Sequence, residues 1–154
     1  DEEQVQISDE SIRRVLTKIE WLMPFHVQLL AQELIDVYES VERPLDDTLA
    51  DRAFQQIFHH RNKTYFEQYY ERLRKRLAAG GETNFAYAVL NGAALHDTVG
   101  KAEAHDLAVK FNVPAEYKAT LESLLYESYM HETPEGAYRF NSSLLKTWWK
   151  KYVC

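Results

Sequence analysis

The sequence predicts a mainly α-helical chain with one short β-hairpin near its C-terminal end. Apolar residues recur at intervals of three and four through most of the 154 residues, which is the period of an amphipathic helix. Residues 137–140 alternate instead between apolar and polar types, as a half-buried strand does. Proline and glycine separate these segments and predict where each one ends. Together these patterns indicate a helical bundle over residues 1–80 and a second helical domain over residues 81–154.

Four helices are predicted in the first domain. Ser8 is a favourable N-cap for the first helix, which we expect to end near Met23. Pro24 disfavours helical geometry at the residue before it but fits the first turn of a helix, so it predicts a corner between two helices. The second helix is apolar on more than one side. We therefore expect it to be the buried helix of the bundle.

The third and fourth helices complete this first domain. Asp46 or Asp47 can cap the third helix, and the fourth carries aromatic residues on its inward face. The fourth helix is expected to end at Gly80 and Gly81, because glycine adopts the left-handed backbone of a helix C-cap at the lowest cost. This pair of glycines is the best candidate for the domain boundary.

The second domain contains three shorter helices, the hairpin and a closing helix. Two of the helices are joined by a short turn before Pro114, as in the core of a helix-turn-helix. A turn at residues 133–136 precedes the strand-like alternation, and together they predict the hairpin. Asn141 or Ser142 can cap the closing helix. This order of elements predicts a winged-helix domain with the hairpin as its wing.

Charge is distributed unevenly along the chain, whose formal net charge is −6. Residues 1–60 carry 5 basic and 13 acidic groups, whereas residues 61–76 carry 6 basic and 2 acidic groups. Residues 139–151 carry 4 basic groups and no acidic group. The simpler interpretation of these two basic segments is that they are solvated helix faces. The alternative interpretation is that they contact a partner or nucleic acid. The candidate residues are Arg72, Arg74, Lys75, Arg76, Arg139, Lys146, Lys150 and Lys151.

The predicted recognition helix of the winged helix is acidic. Residues 113–131 contain Lys118 against Glu116, Glu122 and Glu127. Because DNA phosphates repel such a helix and affinity for DNA depends on released counterions, protein is the favoured partner. Binding of double-stranded DNA remains the alternative function.

The sequence contains no segment that resembles a membrane span, a disulfide framework or a signal peptide. No apolar stretch approaches the ~20 residues that cross a bilayer, and Cys154 is the single cysteine. We therefore expect a cytoplasmic protein with no membrane partner. The chain opens at Asp1 without a methionine, which suggests a piece of a longer protein.

Catalytic and metal-binding patterns are weak in this sequence. His59 and His60 are adjacent, so on a helix they would point about 100° apart and could not form the i, i+4 pair of a helical zinc site. We therefore expect no catalytic residue and no metal site. His96 and His105 lack a cluster that would complete a site, and Cys154 lacks a base partner. His26 is expected to be a partly buried structural histidine.

Four segments together resemble the C-terminal region of prokaryotic AAA+ and STAND-type P-loop ATPases. They are WLMPF at residues 21–25, QLL at 28–30, TYFE at 64–67 and YRFNSSLLKTWW at 138–149. The resemblance implies a helical lid and linker over residues 1–80 and a winged helix over residues 81–154. It also implies that Pro24 lies close to the nucleotide in the intact protein.

The chain departs from those ATPases in lacking the phosphate-binding loop. None of its five glycines lies in a G-x-x-x-x-G-K-[ST] pattern, so we expect no cofactor in this chain and no enzymatic activity. ATP and Mg²⁺ are expected only with a separate ATPase domain. The expected function is regulatory, with contacts to that ATPase domain or to another protein, and a homo-oligomer is an open alternative.

Overall fold

A computed structural model describes residues 7–20, 22–77 and 80–154 of the chain. The protein is mainly helical, with 70% helix and a small two-stranded antiparallel sheet, so the prediction of this coarse fold class is confirmed. A short 3₁₀ helix, His60–Asn62, precedes the fourth α-helix. In chain order the elements are α1 (Asp9–Ile19), α2 (Pro24–Val41), α3 (Asp47–Gln56), α4 (Lys63–Arg76), α5 (Gly81–His96), α6 (Lys101–Lys110), α7 (Tyr117–Tyr126), β1 (Met130–Glu132), β2 (Tyr138–Phe140) and α8 (Ser143–Tyr152).

The chain divides into two compact units, Asp1–Thr64 and Tyr65–Cys154. This division lies near the start of α4, whereas the sequence predicts domains of 1–80 and 81–154. Most of α4 belongs to the second unit because its aromatic side chains pack there, with Phe66 stacked on Trp148 at 6.0 Å between ring centroids. The lid and winged-helix limits implied by the resemblance stay predictions.

In the first unit, α1, α2 and α3 pack around a common core. The Ser8 side chain caps α1 by accepting a hydrogen bond from the Ser11 amide at 3.1 Å. Asp46 caps α3 in the same way through the Leu49 amide at 2.9 Å. Part of this core is formed by buried Val37, Leu45, Leu49 and Ala53, with Ile7, Leu34, Tyr38 and Val41 against them.

Only one stripe of α2 is buried, which contradicts the expectation of a helix buried on several sides. Its fully buried residues recur at the helical period, while Phe25 and Ile35 are 41% and 38% exposed. Outside the stripe, Leu34, Tyr38 and Val41 are partly buried against the core, whereas Phe25 and Ile35 lie at the surface. The buried stripe consists of His26, Leu30, Glu33 and Val37.

In the second unit, α5 lies against α6, α7, α8 and β2. Gly80 has the positive φ of +107° expected of it, but it is the N-cap of α5 and not the end of α4. Gly81 is required for a different reason, because a Cβ there would lie 2.8 Å from the Phe111 carbonyl oxygen. The start of α5 thus approaches the turn between α6 and α7 closely.

The hairpin pairs β1 with β2 in the register Met130 with Phe140, and Gly136 has φ +81° in its turn. Val99 forms an isolated antiparallel bridge with Tyr138, donating from its amide at 2.9 Å. The Ser142 side chain caps α8 through the Leu145 amide at 3.1 Å. Both tryptophans of α8 are buried, and they close the core of this unit.

Candidate interaction surface

Helix α7 presents one buried face and one exposed face. Thr120, Leu121 and Leu124 are buried, and the helix packs against α5 and β1. The 3.6-residue period places the polar positions on the opposite side. That side, which we call the α7 face, carries Lys118, Ala119, Glu122, Ser123 and Tyr126, all exposed.

The α7 face combines balanced charge with an unusually exposed aromatic ring. Tyr126 is 87% exposed, the highest value among the exposed large hydrophobic residues of the described chain. Lys118 and Glu122 contribute one charge of each sign, and neither forms an ion pair with another described residue. The Ser123 hydroxyl donates to the Ala119 carbonyl at 3.0 Å, so its hydrogen is already used within the helix. A partner could therefore cover this face without leaving that donor unsatisfied.

Glu127 joins the end of α7 to α4. Its side chain is only 14% exposed and forms an ion pair with Arg76, while its second oxygen lies 3.9 Å from Nη1 of Arg72. The Arg72 guanidinium also lies over the Tyr69 ring, 5.2 Å from its centroid. Two cations of the first basic segment are therefore held by a carboxylate of the predicted recognition helix.

Asp97 joins the end of α5 to β2 and α8 in the same way. It is the C-cap of α5, with φ +75°, and one of its oxygens lies 3.3 Å from Nε of Arg139. Lys146 forms a second ion pair with it. The hydrogen bond from Lys146, together with the nearby Arg139 charge, holds the pKa of the Asp97 carboxyl below its ordinary value.

The other four candidate cations lie on exposed surface. Arg74 pairs with Glu71 at 2.8 Å within α4. Lys75, Lys150 and Lys151 are exposed, and within the described residues none of them forms an ion pair with a carboxylate. Five of the eight candidate cations thus have a carboxylate partner. The pairing of these cations with Asp97 and Glu127 does not follow from the sequence, because the partners of Asp97 lie 42 and 49 residues away and nothing local marks the pairs.

The predicted wing is tied to the first residue of α6. Lys101 Nζ lies 2.6 Å from Oε1 of Glu132, and the Lys101 chain also passes close to Gly136 in the hairpin turn. At the base of the hairpin, Nδ1 of His131 lies 2.8 Å from the side-chain oxygen of Asn141. The Lys101 contacts hold the hairpin beside the start of α6.

The first unit has a separate polar cluster around a buried carboxylate. Glu33 is 5% exposed and accepts from Arg61 at 2.6 Å and from the Asn62 amide at 3.3 Å. Arg61 also lies 2.7 Å from Asp36. Hydrogen bonds from Gln32 and then Arg61 lower the pKa of Asp36. Because its polar atoms satisfy one another, this cluster fixes the short 3₁₀ segment against α2.

Pro24, the predicted nucleotide-proximal position, is exposed as the first residue of α2. Two residues on, His26 is 1% exposed, and burial lowers its pKa from 6.5 to about 4, so it is neutral near pH 7. Trp21 lies outside the described residues, as does the side chain of His60. Within the part of the chain that the structure describes, no three metal-ligating side chains gather into a site.

None of the helices in the described ranges is long and apolar enough to cross a membrane. Comparison with models of protein families, with curated proteins and with solved structures finds no match.

Proposed function

We propose that this chain is a non-catalytic regulatory and interaction region of a larger P-loop ATPase. In this proposal the second unit acts as a winged helix and contacts protein through the α7 face. The observation that carries it is the chemistry of that face, where balanced charges surround the 87% exposed ring of Tyr126. Exposed aromatic residues are typical of protein contacts, whereas DNA contacts are rich in unpaired cations.

The order of elements supports the winged-helix assignment. Helices α5, α6 and α7 are followed by a hairpin, and Val99 between α5 and α6 bridges to β2 as a short third strand would. Winged helices place the helix before the hairpin in contact with their partner. That position is occupied here by α7.

Ion pairing of the basic segments favours protein over DNA. Counterion release requires cations that can reach phosphates, and Arg72, Arg76, Arg139 and Lys146 are each held by Glu127 or Asp97. The recognition helix itself offers Lys118 alone. Lys75, Lys150 and Lys151 are the cations that the DNA alternative would use.

The proposal that this chain is part of a larger P-loop ATPase rests on the sequence resemblance. The exposure of Pro24 at the start of α2 is compatible with a contact to a nucleotide bound by another domain. ATP and Mg²⁺ would be bound by that domain, because this sequence lacks a phosphate-binding loop.

Duplex binding distinguishes the two functions. We expect fluorescence anisotropy with a labelled duplex to give dissociation constants no tighter than about 10⁻⁴–10⁻⁶ M, the range of non-specific binding at physiological salt. Tight, salt-sensitive binding that is lost in a Lys75→Glu, Lys150→Glu, Lys151→Glu protein would support the DNA-binding alternative instead.

Regulation is tested in the full-length protein that contains the ATPase domain. We expect Tyr126→Ala and Glu122→Lys to change the rate of ATP hydrolysis or nucleotide release, because both alter the α7 face. Asp106→Lys is the matched control, since it makes the same charge change at an exposed position of α6. Equal rates in all three variants and in the unmodified protein would contradict the proposal.

A further inference from the structure

We propose that the α7 face is a self-association surface, and that it binds the α7 face of a second copy of this chain in antiparallel orientation. The inference rests on the proposed function, since it names the protein that the face contacts.

The charges of the face are complementary to themselves under a two-fold axis. Lys118 and Glu122 lie four residues apart, on one side of the helix. When two such helices run antiparallel about an axis near residue 120, Lys118 of each copy faces Glu122 of the other. Two reciprocal ion pairs then form, as an isologous interface requires. A parallel, in-register arrangement would instead place like charges together.

The same axis gives Tyr126 a contact at each end of the helix pair. Tyr126 lies four residues beyond Glu122, so antiparallel pairing brings its ring to the N-terminal end of α7 in the other copy, next to the turn that contains Pro114. Pro114 and the adjacent Ala115 are both exposed. A tyrosine that is 87% exposed would cover them, burying apolar area while its hydroxyl stays in water.

The centre of the face can be covered without unsatisfied donors. Ala119 brings no polar side-chain atom, and the Ser123 hydroxyl already donates to the Ala119 carbonyl at 3.0 Å. At the end of α7, Glu127 is neutralised by Arg72 and Arg76, so it adds little repulsion between two copies. Glu116 is the one exposed acid on this helix or its preceding turn that the pairing leaves without an opposite charge.

The interface is small, so the dimer is expected to be weak. The α7 helix has 10 residues, and at 1.5 Å per residue the two copies would touch along only about 15 Å. Interfaces below the standard size belong to transient complexes, and we expect a dissociation constant of about 10–100 μM.

Sedimentation equilibrium of the full chain over a range of concentrations tests the pairing through a charge swap. Lys118→Glu and Glu122→Lys should each raise the dissociation constant about tenfold or more, because each variant places two like-charged pairs opposite one another. The double variant should restore self-association. An equimolar mixture of the two single variants should form a heterodimer, since each supplies the charges that the other needs. Tyr126→Ala should weaken the dimer as well.

Two variants on α6 serve as controls. Lys110→Glu and Asp106→Lys make the same charge changes at exposed positions outside the α7 face, and we expect neither to alter the dissociation constant. All substituted positions are exposed, and circular dichroism of each variant checks that it is folded.

A chain that stays monomeric up to millimolar concentration would overturn the inference, as would a dimer that ignores the charge swap. These outcomes are distinct from failure of the proposed function. If self-association fails while Tyr126→Ala still changes the ATPase rate of the full-length protein, the α7 face contacts a different protein. If the chain does not self-associate and Tyr126→Ala leaves the ATPase rate unchanged, both proposals are wrong.

Discussion

At the scale of single residues, two carboxylates determine what the basic segments do. Asp97 and Glu127 each lie at the end of a helix, and each receives two cations from other elements of the second unit. A single carboxylate shared by two cations holds them together, although the Arg76 side chain stays 61% exposed. Cations of the basic segments therefore connect elements of the second unit.

Asp97→Asn should destabilise the protein modestly and in a salt-dependent manner. Asparagine tolerates the left-handed backbone at φ +75°, so the variant isolates the loss of the two ion pairs. Because Asp97 is half exposed, we expect the free energy of unfolding to fall by about 1 kcal/mol at low salt and by less at high salt. Urea denaturation at two salt concentrations measures this. Asp106→Asn, which is far more exposed, should change nothing, and an equal loss there would contradict the role assigned to Asp97.

His26 should make the stability of the protein depend on pH between 6.5 and 4. Burial lowers its folded-state pKa to about 4, whereas the unfolded chain has the ordinary value of 6.5. Between these values the unfolded state binds a proton that the folded state does not, so acidification favours unfolding. The stability is thus fully present above pH 6.5 and is lost as the pH falls towards 4.

The measurement is the slope of the free energy of unfolding against pH, compared with His26→Gln. That variant has no group to titrate at this position, so its slope should be smaller in this window. The comparison of slopes holds even if the substitution lowers stability at every pH. Parallel curves for the two proteins would show that His26 does not titrate as its burial requires.

At the scale of elements, α4 and α5 show how packing decides positions that local rules leave open. The aromatic residues of α4 face inward as predicted, but they pack with later elements, with Tyr69 on Tyr129 and Tyr70 on Tyr87. Gly81 does not end a helix. It lies where α5 approaches the backbone of the α6–α7 turn, so its lack of a Cβ is a matter of space.

Gly81→Ala should destabilise the second unit, whereas Gly100→Ala should be nearly neutral. A Cβ at Gly81 would lie 2.8 Å from a backbone oxygen, which cannot move as a flexible side chain can, and overpacking of this kind costs about 1–3 kcal/mol. A Cβ at Gly100 meets nothing within 4 Å. At Gly100, alanine is a poorer helix cap, which lowers stability, but it also restricts the unfolded chain, which raises stability. These two effects should roughly cancel. Thermal unfolding of both variants tests the contrast, and equal melting temperatures would refute it.

At the scale of the whole molecule, the chain consists of two compact units that divide near the start of α4. The aromatic core of the second unit needs that helix. Phe66 stacks on Trp148, and Tyr70 lies 5.7 Å from Trp149 between ring centroids. A domain that began at residue 81 would expose these surfaces.

A fragment of residues 63–154 should therefore fold, and a fragment of residues 81–154 should not. The shorter one loses buried Phe66 and Leu73, and burial of each such side chain contributes about 1.5–3 kcal/mol. Losing them together with the three half-buried tyrosines of α4 removes much of the ~5–15 kcal/mol that stabilises a typical domain. Near-ultraviolet circular dichroism would report fixed aromatic packing in the first fragment alone. A well-folded fragment of 81–154 would support the boundary that the glycine pair predicts.

The sequence by itself determined the features that depend on near neighbours. Helical periods, the Ser8 cap, the start of α2 at Pro24 and the hairpin turn all involve residues within a few positions of each other. Asp46 and Ser142 are each one of the two neighbouring cap candidates that the sequence offers. Such features arise from backbone geometry and local hydrogen bonds, which a pattern of residue types records directly.

Only the tertiary structure decided which faces meet and which charges remain in solution. The pairing of Asp97 with Arg139 and Lys146, the packing of α4 with the second unit, and the exposure of Phe25 and Tyr126 depend on contacts between distant segments. One amphipathic helix can bury its apolar stripe against many partners, so its sequence does not name the one it will meet. For that reason the α7 face could be proposed as an interaction surface only once its neighbours were in place.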